Sequence, residues 1–199
     1  MANYRTSRIL PIILVIVIII IAIAAIVSLA RVVFFNGSST PVVLDQSREA
    51  LLSTTAGRSV SMTVRGPIVA DEEFHSYKIN ISPSTREIKT YSGYLENEVG
   101  TINLGNSVAS YEQFVYALDK ADLADGQELV GDRNDVRGIC ATGRVYEFSI
   151  LNDGQSVKKL WTSTCKGSAG SLDASVVQLT SLFVNQIPDA DKLIKKVSL

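Results

Sequence analysis

Histidine and tryptophan each occur once in this chain of 199 residues, cysteine and methionine twice, and proline five times. One histidine, His75, and two thiols fall short of the four ligands of a structural zinc site. There is no C-x-x-C pair, which excludes a thioredoxin-like redox motif. A P-loop, a dinucleotide fingerprint and a G-x-S-x-G nucleophile elbow are missing as well. The formal net charge of −1 offers no basic field for a nucleic acid, and none is expected as a partner. No cofactor is expected.

Charge is absent altogether from residues 9–30, where Ser28 is the only hydroxyl. As a helix this run measures about 33 Å, enough to cross a hydrocarbon core of about 30 Å. A lone apolar segment in lipid must satisfy its own backbone hydrogen bonds, which a helix does. Pro11 falls in the first turn, where its missing N–H is harmless. The rival is a cleaved signal peptide, with Arg5 and Arg8 as its basic start and Ser28-Leu29-Ala30 as its cut site. The run exceeds the roughly 7–15 apolar residues of such peptides, and cleavage would leave RVVFF exposed. Residues 9–31 are therefore expected to stay in lipid as a single-pass transmembrane helix. The tail 1–8 holds Arg5 and Arg8 without an acid, so it is expected in the cytoplasm and the rest outside the cell membrane. On this division 32–56 is a linker or stalk and 57–199 an extracytoplasmic domain of one core.

Cys140 and Cys165, the only cysteines, both belong to that outer part, which predicts a disulfide between them. The residues around them predict a hairpin. RVYEFSIL and QSVKKLWTST alternate with period two, and Asn152-Asp153-Gly154 between them is a tight-turn signal. One cysteine precedes the first strand and the other follows the second. The bridge would thus staple the open end of the hairpin, opposite its turn.

Period-two alternation also marks RSVSMTVRG, SYKINIS and REIKTYSGYLE, with GTINLG a weaker fourth strand. SPST reads as a hairpin turn between the second and third. VVLDQSREALLSTTAG predicts a helix from about Asp45 as N-cap, either a stalk or a first docked element. SYEQFVYALDKAD predicts a second, with Tyr111, Phe114, Val115 and Leu118 on one stripe and Ser110 and Gln113 as a capping box. Residues 123–138 read as an acidic, turn-rich loop or a pair of short elements. SLDASVVQLTSLFVNQIP closes with a helix whose stripe is Val176, Leu179, Phe183 and Ile187, ending near Pro188, and DADKLIKKV adds a last turn or two. Strands precede a helix twice. The expected fold class is α+β: a mostly antiparallel sheet with helices packed on one face.

Few motifs suggest chemistry. Ser156 and Lys159 match S-x-x-K, yet on a strand they point to opposite faces, so no catalytic role is expected. Asp71, Glu72, Glu73 and His75 read as a charged loop rather than a cation site. Asp132, Asn134 and Asp135 open like a calcium loop, but Arg137 and Gly143 stand where glycine and glutamate are needed. No catalytic, cofactor-binding or metal-binding residue is therefore assigned. The aromatic residues Tyr91, Tyr94, Tyr111, Tyr116, Tyr146 and Trp161 belong mainly to core or sheet faces. Tyr91, Tyr94, Trp161, Lys158 and Lys159 are the candidate interaction face.

The anchor RILPIILVIVIIIIAIAAIVSLA followed at once by an exported domain resembles uncharacterised bacterial single-pass surface proteins, N-terminus in and C-terminus out. The resemblance covers layout alone. It departs from type IV pilins, which carry a glycine cleavage site and a glutamate just inside the apolar helix. The leading expectation is a membrane-anchored, extracytoplasmic binding module for an extracellular protein or glycan. A cell-envelope enzyme or enzyme inhibitor and a pilin-like structural subunit are the alternatives. Oligomeric state is left open.

Overall fold

The computed structural model describes residues 46–197 and 199, within a compact unit spanning Asp45–Leu199. Among the described residues no helix is long and apolar enough to cross a membrane. The transmembrane segment expected over 9–31, the cytoplasmic tail and the Asp45 cap lie outside the described residues.

The chain runs α1 (Gln46–Leu52), β1 (Arg58–Arg65), β2 (His75–Ile81), β3 (Thr85–Ser92), β4 (Asn97–Gly105), α2 (Val108–Asp119), β5 (Val145–Asn152), β6 (Gln155–Ser163), α3 (Val176–Val184) and α4 (Ala190–Lys196). Short 3-10 turns at Asp71–Glu73 and Gly131–Asn134 interrupt the loops. All six strands form one antiparallel sheet in the order β4-β3-β2-β1-β5-β6. The fold is thus α+β, with a six-stranded antiparallel sheet and four helices among the described residues.

Each strand puts its apolar set on one side because side chains alternate. Val60, Met62 and Val64 of β1 pair with Ile81, Ile79 and Tyr77 of β2 and with Ile150, Phe148 and Tyr146 of β5. These residues share one core with Leu51 of α1, with Tyr111, Phe114, Val115 and Leu118 of α2, and with Leu179 and Phe183 of α3. Phe183 is its aromatic hinge. Its ring meets Phe114 edge-on at 5.2 Å and lies 5.9 Å from Phe148. Because α1 buries Ala50 and Leu51, it is docked into the domain rather than standing apart as a stalk.

Local chemistry sets the turns. At the β5–β6 turn Asp153 and Gly154 both adopt positive φ, 49° and 78°, as the tight hairpin turn demands. At the β2–β3 turn the Ser82 hydroxyl accepts from the Thr85 and Ser84 amides, at 2.9 and 3.3 Å. The α2 cap differs from the expected capping box. Ser107, not Ser110, is the N-cap, and its hydroxyl accepts from the Ser110 amide at 3.2 Å. Val108 through Ser110 are exposed, so the first turn of α2 lies outside the buried stripe, which begins only at Tyr111. The GTINLG strand is also longer than its pattern suggests. β4 starts at Asn97, and a bulge opposite Thr90/Tyr91 breaks the alternation there. Gly100 admits α4: a Cβ at that position would stand 2.8 Å from Leu193 Cδ1.

Cys140 and Cys165 are joined in a disulfide that closes 25 positions of chain. It sits at the open end of the β5–β6 hairpin, just beyond the Thr164 amide donating to the Arg144 carbonyl at 3.0 Å. The acidic stretch after α2 is more than an exposed loop. Leu123 and Ala124 enter the main core, whereas Val136 and Cys140 form a second cluster with Val145 and Trp161. Val145 and Trp161 belong to the sheet face opposite the helices, so this segment wraps from one face to the other.

Candidate functional site

The wrapped segment makes one wall of a cleft of about 660 Å³ on the sheet face away from the helices. Its floor is Arg65 at the end of β1, Val145 and Glu147 of β5, and Lys159 of β6. Alternation requires this. Arg65 pairs with Val145, and Glu147 with Trp161, on the face opposite Val64 and Tyr146. The first wall is residues 135–140, held at its base by the disulfide. The second is built from Gly66, Ile68, Phe74, Tyr94 and Glu96, in the connections flanking β2 and β3. A backbone bond of 2.9 Å from the Ile68 amide to the Ala141 carbonyl ties the two walls together.

The second wall is rigid for identifiable reasons. Phe74 is buried and stacks on Tyr94, ring centroids 4.1 Å apart at an interplanar angle of 14°. The Tyr94 hydroxyl donates to the Val69 carbonyl at 2.8 Å and accepts from the Val69 amide at 3.1 Å. The Asp71 carboxylate accepts from the Tyr94 amide at 2.8 Å. So one member of the Asp-Glu-Glu cluster fixes an aromatic residue. Ile68 and Tyr94 still leave 48% and 47% of their surfaces exposed, which makes this wall reachable from solvent.

Ion pairs cross the floor. The Arg65 guanidinium donates to Glu147 Oε1, and Lys159 Nζ lies 3.7 Å from Glu147 Oε2. Arg65 also stands 4.0 Å from Glu96. Burial is the main influence on Arg65 and lowers its pKa, against the opposing pull of Glu96 and Asp135. Asp135 is held down to about 2, chiefly by the Arg137 side chain, which donates to it at 2.8 and 2.9 Å. The cleft therefore gathers Arg65, Arg137 and Lys159 against Glu96, Asp135 and Glu147, three charges of each sign around an apolar interior. Its described lining includes no serine, threonine or histidine, and its one cysteine is in the disulfide. Among the described residues no group of three or more His, Cys, Asp or Glu could hold a metal ion.

The residues expected to form an interaction face scatter around this cleft. Tyr94 and Lys159 line it. Trp161 is buried beneath the neighbouring wall with Val136 and Cys140, and its indole nitrogen has no hydrogen-bond partner. Tyr91 shares the sheet face but lies outside the lining. Lys158 points to the helix side, opposite Ile150, and gives its ammonium to the Ala124 carbonyl. The bulge after Ile150 pairs Ser156 with Leu151 and Lys159 with Ser149, so the two share one sheet face rather than pointing to opposite faces as the unbroken alternation predicted; Ser156 is exposed near the turn. Sequence reasoning missed Arg65, Ile68, Phe74, Val136 and Glu147. Parity on β1 and β5 was the available signal for Arg65 and Glu147: Arg65 ends the face of Ser59, Ser61 and Thr63 with a charge, and Glu147 puts one between Val145 and Ser149.

No protein-family model matches this chain, and no curated protein is significantly similar to it.

Proposed function

We propose that the domain is an extracytoplasmic binding module, carried on a membrane anchor over residues 9–31. Its cleft takes an extended peptide segment of an extracellular protein partner. The supporting observation is the cleft itself: an apolar interior between two braced walls, rimmed by equal numbers of cations and carboxylates. Balanced charge suits a polypeptide, whose backbone is neutral and whose side chains carry both signs. It gives no net attraction to a polyanion. An aromatic or branched apolar side chain would enter between Ile68 and Tyr94 on one side and Val136 on the other, in the manner of a buried anchor residue. The mixed-sign rim would set orientation.

The test uses the full chain in lipid nanodiscs and a displayed library of random peptides. Recovered peptides are expected to carry a central apolar or aromatic residue. They should bind the native chain, and the Val177→Asp variant equally, because Val177 is exposed on a helix. Ile68→Asp and Val136→Asp should each abolish binding. Peptides that ignore both cleft substitutions, or a library that yields nothing against the native chain, would refute the proposal.

A further inference from the structure

The two edges of the sheet are finished differently. The chain itself seals β6. The Glu128 carboxylate accepts from the Lys159 amide at 3.2 Å, and the Ser171 hydroxyl accepts from the Trp161 amide at 3.1 Å. The Trp161 carbonyl accepts from the Ser171 and Leu172 amides at 2.9 and 3.0 Å. β4 has no such cover among the described residues. The Asn106 amide donates to the Ser84 carbonyl at 2.8 Å, which fixes the phase of the β3–β4 ladder. Counting back in twos, Leu104, Ile102 and Gly100 turn their backbone groups towards β3, and Asn103 and Thr101 turn theirs outward. Both are exposed, and no hydrogen bond among the described residues reaches their outward N–H and C=O groups. Gly100–Gly105 also lacks the usual guards of a free edge. It holds no charge and no proline, and the bulge in β4 lies before it.

We infer that this edge docks a second copy of the chain, β4 against β4 antiparallel, about a twofold axis through Ile102. In that register the strand is its own complement. Thr101 faces Asn103 of the second copy, and the two exchange both N–H···O bonds, so the outward groups of each strand satisfy those of the other. Ile102 faces its counterpart on the helix side of the sheet, where it is half-buried against the core beside its register partner Ile88. Leu104, also half-buried on that side, faces Gly100, over which Leu193 of α4 already lies, so leucine meets leucine. On the other side of the sheet the facing side chains are threonine and asparagine. The one charge of β4, Glu98, stands outside the paired segment and is held by Lys89 at 3.2 Å, so no like charges oppose each other. A foreign strand would find the same free backbone groups, but a second copy also brings this matched row of side chains.

The surface is separate from the peptide cleft, whose lining includes none of residues 100–105. The full chain carrying Ile102→Cys is oxidised with copper–phenanthroline in the membranes of the cells that express it and read on non-reducing gels. Across the twofold axis the two Cα atoms at position 102 would stand about 4.5 Å apart, inside the range of about 4.4–6.8 Å that a disulfide spans. A covalent dimer is expected, at least tenfold above that from Val177→Cys, which is exposed on α3. Adding Asn103→Pro removes an outward N–H and leaves the β3 ladder alone, and it should cut the dimer at least fivefold. Asn103→Lys should do the same. A lysine there suits Glu87 of its own β3, to which Asn103 Nδ2 donates at 3.4 Å, but it faces Thr101 of the second copy, the register partner of a second lysine, Lys89. Both variants should keep the native far-UV circular dichroism, and Ile68→Asp should leave the dimer intact. A monomer from Ile102→Cys, equal cross-linking at Val177→Cys, a dimer that survives both Asn103 variants, or one lost in Ile68→Asp would overturn the assignment.

Discussion

Replacing Glu147 by Gln tests whether the cleft floor is held by charge or merely decorated by it. The Glu147 side chain is 12% exposed and uses both oxygens, one for Arg65 and one for Lys159. Removing one partner of a fully buried pair costs about 3–5 kcal/mol. Arg65 and Lys159 keep 33% and 31% of their side-chain surfaces in water, and Arg65 retains Glu96 at 4.0 Å. Solvent therefore screens part of the loss, and the value for one charge-assisted bond, about 1.5–3 kcal/mol, is the better guide. Glu147→Gln should cost about 2 kcal/mol. The double variant Arg65→Met/Glu147→Leu should cost at least about 1 kcal/mol less than the sum of its singles, because the two removals share one interaction. Urea denaturation of the full chain in mild detergent reads this directly. Trp161, the only tryptophan, is buried against the cleft wall and reports on it by fluorescence. A Glu147→Gln loss below about 0.5 kcal/mol, or singles that simply add, would refute a charge-braced floor.

Other expectations follow from the core, the disulfide and the ionisable groups. Cys140→Ser/Cys165→Ser should lower stability by about 3 kcal/mol in chain-entropy terms and weaken peptide binding, measured by denaturation and by the library peptides under reducing conditions. Phe183→Ala should cost about 3–5 kcal/mol, since the ring is fully buried between Phe114 and Phe148. Tyr111 is fully buried, its hydroxyl has no partner, and burial pushes its pKa up to about 12. A phenol raised in this way stays neutral in the fold while the unfolded chain ionises. Its share of stability is present below about pH 10 and is lost as pH rises towards about 12. Tyr111→Phe should flatten that alkaline fall in a pH series of melts and gain about 1 kcal/mol at neutral pH. Asp119 behaves oppositely. The Arg48 guanidinium, bonded at 2.7 and 2.8 Å, lowers its pKa, so its contribution is present above the ordinary carboxylate range and fades as pH falls through the lowered value. In Arg48→Met the acid limb of the same series should be shallower.

Much of the fold was legible because its signals are local. Val60, Met62 and Val64 alternate, the Asp153-Gly154 turn supplies its own positive φ, and the α2 stripe from Tyr111 to Leu118 repeats at helical spacing. Where signals are not local, reading failed. Ser107 caps α2 one exposed turn before the apolar stripe, and the stripe alone pointed to Ser110. Residues 123–138 carry acids and turns, so they read as an exposed loop or a pair of short elements. Leu123, Val136 and Cys140 reach two cores only because the chain crosses from one sheet face to the other. The cleft was the least legible feature. Arg65 and Glu147 are 82 residues apart, and it is the pairing of β1 with β5 that brings them together. Phe74 is a single apolar residue in a charged loop, and Ile68 belongs to the short run Pro67-Ile68-Val69-Ala70, with no period to announce either. The disulfide was accessible because hairpin geometry and an even cysteine count agreed.

The decisive experiment places a photo-crosslinking amino acid at Ile68 or at Val177 in the full chain displayed on intact cells. Both positions are exposed, one on the cleft wall and one on α3. A cleft that grips a polypeptide outside the membrane predicts discrete protein adducts from Ile68, competed away by the library peptides, and none from Val177. Adducts from both positions alike, or none from Ile68 while added protease leaves the domain intact, would contradict it.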